Sequence, residues 1–318
     1  MKVFVGIDTS CYTTSVAALD ADGSLLADAR IPLTVKPGGR GLAQSEMVFQ
    51  HVRNLPAVMS ELREAIGPAA EVAAVGVSTR PRPVTDSYMP VFLAGAGTAG
   101  AVGAALNCPV FNLSHQENHI LAGLWSAGGD FPSDFLAVHA SGGTTEILKV
   151  RQRSDGLELE LIGGTNDLHA GQFVDRVGVA LGLPFPAGPH LETLAEQYIG
   201  EEINIPVSVI GSAISLSGPE SHVRRWLKNS PEPAAVAAAV QRCIAESLRR
   251  AVTAALDVTQ TQMVLLVGGV SANRFIRTRL ATELGRLRRA AVRWPAPEYS
   301  GDNAVGAAWW ARNRRVVL

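Results

Sequence analysis

The order of strand-like and helix-like segments is the feature that most constrains the fold of this chain. Short β-rich runs separated by turn residues occur in two sets of three, one at the start of the sequence and one near its middle. These runs are residues 2–8, 13–19, 24–31, 135–141, 144–151 and 157–164. Each set leads into helical patterns and further strands, so the chain predicts an α/β protein of two successive β-β-β-α-β-α units.

Helical spacing of apolar residues and short continuous apolar runs predict the remaining elements. The predicted helices are residues 45–67, 90–107, 167–182, 190–199, 233–257, 272–285 and 301–315. The further predicted strands are residues 72–78, 108–114, 263–269 and 290–294. Pro56 is predicted to kink or divide the first helix, because proline removes a backbone donor.

The length of the chain predicts two lobes. At 318 residues it exceeds the size at which a single hydrophobic core usually stops growing. We expect an N-terminal α/β lobe at residues 1–125, with the C-terminal helix at 302–318 packing back on it, and a C-terminal α/β lobe at 126–301. Ligands are expected in an interlobe cleft.

Composition excludes several classes of protein. The net charge of −1 does not indicate a nucleic-acid or membrane surface, and the arginine-rich runs are typical of solvated helix faces. Three widely spaced cysteines argue against a disulfide framework. The longest stretch of small apolar residues, 91–106, is shorter than a membrane span. We therefore expect a soluble, cytoplasmic protein with no membrane partner.

The segment NLSHQENHI (112–120) contains the first candidate site. If it is helical, His115 and His119 share one face, at the spacing needed to bind one ion. An HExxH protease requires a glutamate directly after the first histidine, and Gln116 occupies that position. A metal site is the alternative, with Asp302 as a candidate third ligand, although an aspartate at the start of the last predicted helix is also typical of capping.

Two hairpins rich in serine, threonine and glycine are candidate phosphate loops. GIDTSCYTT (6–14) places Asp8 at the end of the first strand, and HASGGTTEI (139–147) repeats the pattern in the second half. Hydroxyls, backbone N–H groups and glycines in such turns hold phosphate groups. Ordinary hairpins remain the alternative.

Two further segments carry candidate ligand contacts. In LLVGGVSANRFIR (265–277) a strand runs into Gly268 and Gly269 before a helix start, which suits a polar ligand or a plain βα turn. In the helix predicted at 167–182, Asp167 and Asp175 form an acidic stripe, and Asp175 is a candidate for binding ribose hydroxyls.

Taken in order, the motifs DTSCxxT, HxExH, SGGxT, DxxxGxxxDRxxxxLGLPxPxGP, GGVSAN and SGDN resemble a known family. It is the family of tRNA threonylcarbamoyladenosine transferases, called TsaD in bacteria and once described as O-sialoglycoprotein endopeptidases, the glycoprotease family. The resemblance extends from Asp8 to Asn303. It implies an ASKHA fold, the two-lobed fold of actin-like ATPases, sugar kinases and Hsp70, in agreement with the two predicted units.

The resemblance also implies a set of site residues. His115, His119 and Asp302 would bind one divalent metal, iron or zinc, and Asp8 would join them in the catalytic centre. The implied second ligand is of the ATP or adenylate type, threonylcarbamoyl-AMP. The residues expected to contact it are Ser10, His139, Ala140, Ser141, Gly142, Gly143, Asp175, Gly188, Gly268, Gly269 and Asn273.

The implied reaction transfers threonylcarbamoyl from threonylcarbamoyl-AMP to adenosine 37 of ANN-decoding tRNA. The metal would act as a Lewis acid on the carbamoyl-phosphate group. The implied partners are tRNA and other subunits of a threonylcarbamoyladenosine-synthesis complex, with a homo- or heterodimer left open.

The chain departs from the family pattern around the acceptor chemistry. The acidic pair that usually follows DTSC is replaced by Tyr12 and Thr13, SGGHT reads SGGTT, and GEAFDK reads GQFVDR. A Gly-Pro-Gly turn is replaced by TRPRPVTDSYMP between Ser78 and Pro90, and LSGPE (216–220) lacks the lysine of FSGLK. Two alternatives therefore stay open: a carbamoyltransferase-like paralogue with another acceptor, and a non-catalytic ASKHA-fold partner subunit of the tRNA-modifying complex.

Overall fold

The computed structural model describes residues 1–35, 41–153, 156–287 and 290–316. Its strands are β1 (Lys2–Asp8), β2 (Thr13–Asp20), β3 (Leu25–Pro32), β4 (Glu71–Arg80), β5 (Val110–Ser114), β6 (Asp134–Ala140), β7 (Thr145–Arg153), β8 (Gly156–Thr165), β9 (Ser208–Ile210), β10 (Ala213–Ser215), β11 (Met263–Val267) and β12 (Ala291–Arg293). Its helices are α1 (Gln44–Ile66), α2 (Phe92–Leu106), α3 (His115–Ala127), α4 (Ala170–Ala180), α5 (Gly188–Ala195), α6 (Ser217–Leu227), α7 (Pro233–Thr259), α8 (Arg274–Arg286) and α9 (Val305–Val316).

The chain divides into two compact units, each containing one sheet. Among the described residues, the first unit comprises 1–34, 41–128 and 295–316. The second comprises residue 35 and residues 129–153, 156–287 and 290–294. No helix in the described ranges is long and apolar enough to cross a membrane.

The first unit is built on a five-stranded sheet in the order β3-β2-β1-β4-β5. β1, β4 and β5 run parallel, so their carboxyl ends, Asp8, Arg80 and Ser114, lie at one edge of the sheet. Alternate residues of β1 face opposite sides. Val5 and Ile7 pack with residues of α1 and α2, whereas Phe4 packs with α9 on the other side.

Two glycines allow α9 to lie directly on this sheet. A Cβ atom on Gly6 would lie 2.0 Å from the Ala304 carbonyl oxygen, and one on Gly76 would lie 2.0 Å from that of Ala307. These distances exclude any larger residue without a shift of backbone. The close packing positions the segment just before α9, which contains Asp302.

The second unit is built on a seven-stranded sheet in the order β12-β11-β6-β7-β8-β10-β9. Leu136 and Val138 of β6 belong to its apolar core, together with residues of α4, α7 and α8. β6 and β11 are parallel neighbours, so the loops that follow Ala140 and Val267 emerge at the same edge. Ligands in α/β sheets commonly bind at the carboxyl ends of such strands.

The predicted α/β class is confirmed, and the first unit follows the β-β-β-α-β-α order. The second unit follows it with β9, β10 and α6 inserted before α7, and three local predictions are wrong. The predicted division of α1 at Pro56 does not occur, because that residue is exposed while Leu55 and Val58 bury their side chains against the sheet. Asp167 precedes α4 and is therefore not part of a helical stripe. Asp302 precedes α9 by three residues and does not begin it.

A candidate metal centre and a candidate nucleotide-binding edge

A capping box fixes the start of α3, the helix that carries both histidines. The Ser114 hydroxyl oxygen accepts from the Glu117 backbone N–H at 3.2 Å, and Glu117 Oε2 accepts from the Ser114 N–H at 2.7 Å. Glu117 is thus committed to capping rather than to acid–base chemistry. With the helix starting at His115, the spacing of four residues puts His119 on the same face.

His115, His119 and Asp302 converge in the first unit. The two Nε2 atoms lie 3.1 Å apart, and Asp302 Oδ1 lies 3.6 Å from His115 Nε2 and 3.4 Å from His119 Nε2. Ligand atoms at about 2.1 Å from a tetrahedral ion are separated by about 3.4 Å, so these distances suit one shared metal ion. Three ligands of this kind fit a divalent transition metal and leave coordination positions open for a substrate.

Asp8 lies behind His115, at the end of β1. Its Oδ1 is 3.4 Å from His115 Nδ1, and its Oδ2 accepts from the Ser10 hydroxyl at 2.6 Å. A carboxylate at this position favours the tautomer with the proton on Nδ1, which leaves Nε2 free to donate its lone pair to a metal. Ser10, predicted as an adenylate contact, is fully buried in the first unit and orients Asp8.

Asp302 is held by the chain rather than used as a helix cap. Its carboxylate accepts from the Tyr12 backbone N–H, while Asn303 Oδ1 accepts from the Val305 N–H at 2.9 Å and so caps α9. Burial alone would raise the pKa of Asp302. The hydrogen bond to His119 and the nearby imidazoles outweigh burial and lower the pKa to about 2, so the carboxylate is ionised and available as a ligand.

The pKa values of the two histidines are shifted in opposite directions. Burial disfavours the charged form of His115, but Asp8 and then Asp302 outweigh it and raise its pKa. Burial, together with the charge on His115, lowers the pKa of His119.

Asn118 joins α3 to α9 and was not identified from the sequence. Its Nδ2 donates to the Asn303 carbonyl oxygen at 2.6 Å, and its Oδ1 accepts from the Ala307 N–H at 2.8 Å. A Cβ on Gly306 would lie 2.0 Å from the Asn118 carbonyl oxygen, so the two helices touch backbone to backbone. Asn118 thereby fixes the position of Asp302 relative to the histidines.

His51 of α1 is a second residue that the sequence did not single out. It is fully buried, and its Nδ1 lies 2.8 Å from the Thr14 hydroxyl oxygen. Burial lowers its pKa, and Asp8, the Cys11 carbonyl and Asp302 act in the opposite direction. His51 therefore supports the turn between β1 and β2, whose Tyr12 N–H binds Asp302.

The SGG turn of the second unit lies against the start of α4. The Ser141 N–H donates to the Thr144 carbonyl at 2.8 Å, and the Gly171 N–H donates to the Ser141 carbonyl at 3.1 Å. A Cβ on Gly171 would lie 2.5 Å from that carbonyl oxygen. Only glycine permits this approach, which leaves the turn through Gly142 and Gly143 packed on a helix N-terminus.

The other predicted adenylate contacts of the second unit cluster around the same edge. Gly268 adopts φ +91°, and a Cβ there would lie 2.4 Å from the Ala140 carbonyl oxygen, within reach of the His139 ring as well. Gly269 begins the 3-10 turn Gly269–Ala272. Asn273 caps α8, because its Oδ1 accepts from the Ile276 N–H at 2.9 Å.

Asp175 is half-buried on α4 and accepts from the Ala187 N–H at 2.8 Å, just before Gly188 begins α5. Burial raises the pKa of this carboxyl, and the Ala187 N–H opposes the shift. The carboxylate thus fixes the loop that leads to Gly188.

Asp167, wrongly predicted on the same helix, is instead the centre of a hydrogen-bond cluster. Ser215, Ser217 and Thr165 each donate a hydroxyl to its carboxylate at 2.6 Å. Burial opposes ionisation, but these donors and the Leu168 N–H hold the pKa well below its usual range. Such side-chain bonds compete with helix formation, which explains why α4 begins only at Ala170.

Sequence comparison gives a consistent family. A family profile described as TsaD, tRNA N6-adenosine threonylcarbamoyltransferase, matches residues 34–309. A protein of that name from Variovorax paradoxus is 31% identical over 98% of this chain and 90% of its own length. A protein of the same name from Paracidovorax citrulli is 32% identical over 98% of this chain and 91% of its own length.

Comparison with solved structures confirms the fold. HypF aligns with a TM-score of 0.62 at 12% identity, over 99% of this chain and 56% of its own. A ROK family glucokinase from Streptomyces griseus aligns with a TM-score of 0.53 at 13% identity, over 98% of this chain and 99% of its own. At these identities the similarity concerns the fold alone, which is the predicted ASKHA fold.

Proposed function

Because the chain belongs to the TsaD family of tRNA N6-adenosine threonylcarbamoyltransferases, we propose that it transfers threonylcarbamoyl from threonylcarbamoyl-AMP to N6 of adenosine 37 in ANN-decoding tRNA. The observation that carries the proposal is the convergence of His115, His119 and Asp302, whose ligand atoms lie within 4.8 Å of one another. We expect tRNA and other subunits of a threonylcarbamoyladenosine-synthesis complex as partners. A tRNA-modifying role also favours the cytoplasm.

In this proposal, His115, His119 and Asp302 hold one divalent iron or zinc ion. When bound, the ion supplies a Lewis acid for the oxygens of the carbamoyl-phosphate group. Asp8 keeps the His115 proton on Nδ1, and the hydrogen bond to His119, the nearby imidazoles and the Tyr12 N–H together keep the Asp302 carboxylate ionised. These two contacts hold the ligand set ready before a metal enters.

The second unit would bind the adenylate. The SGG turn offers backbone N–H groups and no side chain between Ser141 and Thr144, which suits a phosphate. Asp175 would accept from the ribose hydroxyls, and the turn from Gly268 to Asn273 would contact the nucleoside. The Asn273 side chain already makes two hydrogen bonds within the chain and the Asp175 carboxylate makes one, so both would approach the ligand with fixed orientations.

The transfer itself balances without an added oxidant or reductant. The N6 amine of adenosine attacks the carbamoyl carbon, and a C–N bond forms. The bond from that carbon to the AMP oxygen breaks, AMP leaves with the electron pair, and the amine loses a proton.

The test is product formation with purified components. The chain, loaded with iron or zinc, would be incubated with tRNA, threonylcarbamoyl-AMP and the partner proteins, and modified adenosine measured by mass spectrometry of digested tRNA. We expect product with the native chain and none above background with His115→Ala. Equal product from both would contradict the proposal.

Two further measurements separate the alternatives left by the altered acceptor motifs: turnover of carbamoyl-AMP, and binding of metal and nucleotide. Turnover of carbamoyl-AMP in the absence of tRNA would indicate a carbamoyltransferase with another acceptor. Lack of both metal binding and nucleotide binding would indicate a non-catalytic partner subunit. The complete set of three metal ligands favours an enzyme over such a subunit.

A further inference from the structure

The TRPRP segment (79–83) lies where the family pattern has a Gly-Pro-Gly turn. Arg80 ends β4 and is paired with Ser114 of β5, the residue directly before His115. The next residue, Pro81, accepts a hydrogen bond from the Gln116 N–H at 3.1 Å. The backbone around Arg80 is therefore tied to the first turn of the helix that carries both metal-binding histidines.

Arg80 is a partly buried cation with an unmet hydrogen-bonding group. Its Nε is inaccessible to solvent and donates to no acceptor in the described chain. Among the described residues, no acidic side chain forms an ion pair with it. The hydroxyl of Ser78, two residues earlier on the same strand, is also buried without a hydrogen-bond partner.

These observations favour an anion supplied from outside the chain. A partly desolvated guanidinium is costly unless an opposite charge accompanies it. The planar fork of arginine matches the two oxygens of a carboxylate or phosphate. Glycine in the family turn offers backbone alone, so Arg80 supplies a charge that the usual turn lacks.

We propose that Arg80 anchors an oxyanion of the small-molecule substrate, a carboxylate or a phosphate, beside the metal centre of the first unit. The proposal rests on the proposed function, because threonylcarbamoyl-AMP carries both groups. A small ligand fits better than the tRNA backbone, since Arg80 is only partly exposed whereas the neighbouring Arg82 is exposed. Arg82 is thus a matched control within the same loop.

The experiment is calorimetric titration of the metal-loaded full chain without tRNA. The ligands are threonylcarbamoyl-AMP and carbamoyl-AMP, which differ by the threonine and its carboxylate. The variants are Arg80→Gln, Arg80→Lys and Arg82→Gln, each checked for an unchanged melting temperature. The affinity of each variant for tRNA is measured separately, by titration with unmodified tRNA.

Arg80→Gln should raise the Kd for threonylcarbamoyl-AMP about 10- to 100-fold, the effect of losing a charge-assisted pair. Arg80→Lys should recover part of the loss, and Arg82→Gln should change the Kd less than threefold. An unchanged Kd for carbamoyl-AMP identifies the carboxylate as the anchored group, and an equal rise identifies the phosphate.

Three results would overturn the assignment. They are unchanged affinity for both adenylates in Arg80→Gln, an equal loss in Arg82→Gln, and a loss confined to tRNA binding. If the native chain binds and transfers threonylcarbamoyl while Arg80→Gln behaves identically, this inference fails alone. If the native chain binds neither adenylate, the proposed function fails as well.

Discussion

Replacing Asn118 by alanine removes the side chain that joins α3 to α9. Two buried backbone groups, the Asn303 carbonyl and the Ala307 N–H, lose their partner. The Ala307 N–H lies in the first turn of α9, where no intrahelical acceptor exists. Each unsatisfied buried group costs about 1–3 kcal/mol, so the loss of two partners should lower the free energy of unfolding of the first unit by about 2–6 kcal/mol.

The same change should weaken metal binding, because Asp302 lies directly before Asn303 and loses its anchor. Loss of partners that orient metal ligands typically lowers affinity 10- to 100-fold. Urea denaturation of the metal-free protein gives the stability change, and titration with zinc gives the Kd. Hydrogen exchange provides a local readout, since the Ala307 amide should exchange faster in the variant.

Asn112→Ala is the matched control, because Asn112 is exposed on β5 in the same unit. It should change stability by less than about 0.5 kcal/mol, as expected for a surface substitution. The reasoning is refuted if Asn118→Ala is as stable as the control and the Ala307 amide keeps its protection.

Three further substitutions test other parts of the site. His51→Ala should lower the free energy of unfolding, measured in urea, by about 2–4 kcal/mol and should raise the zinc Kd, because a buried ring and its bond to Thr14 are lost. Lower stability with an unchanged zinc Kd would show that His51 supports the fold and not the metal centre. Asp167→Asn should lower the free energy of unfolding by about 1–2 kcal/mol at pH 7, discounted for partial exposure, and the difference should shrink as the pH falls below about 4, because a carboxylate with a depressed folded pKa contributes fully above its unfolded pKa and loses that contribution toward its folded pKa. Denaturation at pH 7 and at acidic pH measures this, and a pH-independent difference contradicts it. Asp175→Asn should keep native stability at pH 7, because asparagine still accepts from the Ala187 N–H and no charge is buried. Its affinity for the adenylate, measured by calorimetry, should nevertheless fall about 10-fold. Unaltered affinity would show that Asp175 does not contact the adenylate.

Long elements with strong periodicity were predictable from the sequence. The helix expected at 233–257 is α7 (Pro233–Thr259), because its apolar residues repeat at helical spacing over many turns. The strands β9 and β10 were not predicted, since three residues each are too few to show alternation. The continuity of α1 through Pro56 depends on tertiary burial, which local propensity does not report.

The site was predictable to the extent that its chemistry is local. The spacing of His115 and His119 indicated a shared face, and motif order supplied Asp302. Asn118 escaped notice because its bonds are made to residues 185 and 189 positions away. Asp167 was misplaced on a helix because its partners, Ser215 and Ser217, lie 48 and 50 residues later.

The central claim is that His115, His119 and Asp302 hold one metal ion needed for threonylcarbamoyl transfer to tRNA. The most direct test is to titrate the chelator-treated chain with iron or zinc and to measure modified adenosine at each step, for the native protein and for Asp302→Asn. We predict that product rises to a plateau at one equivalent of metal in the native protein and stays at background in the variant. Product that is independent of metal, or an equal plateau in Asp302→Asn, would contradict the claim.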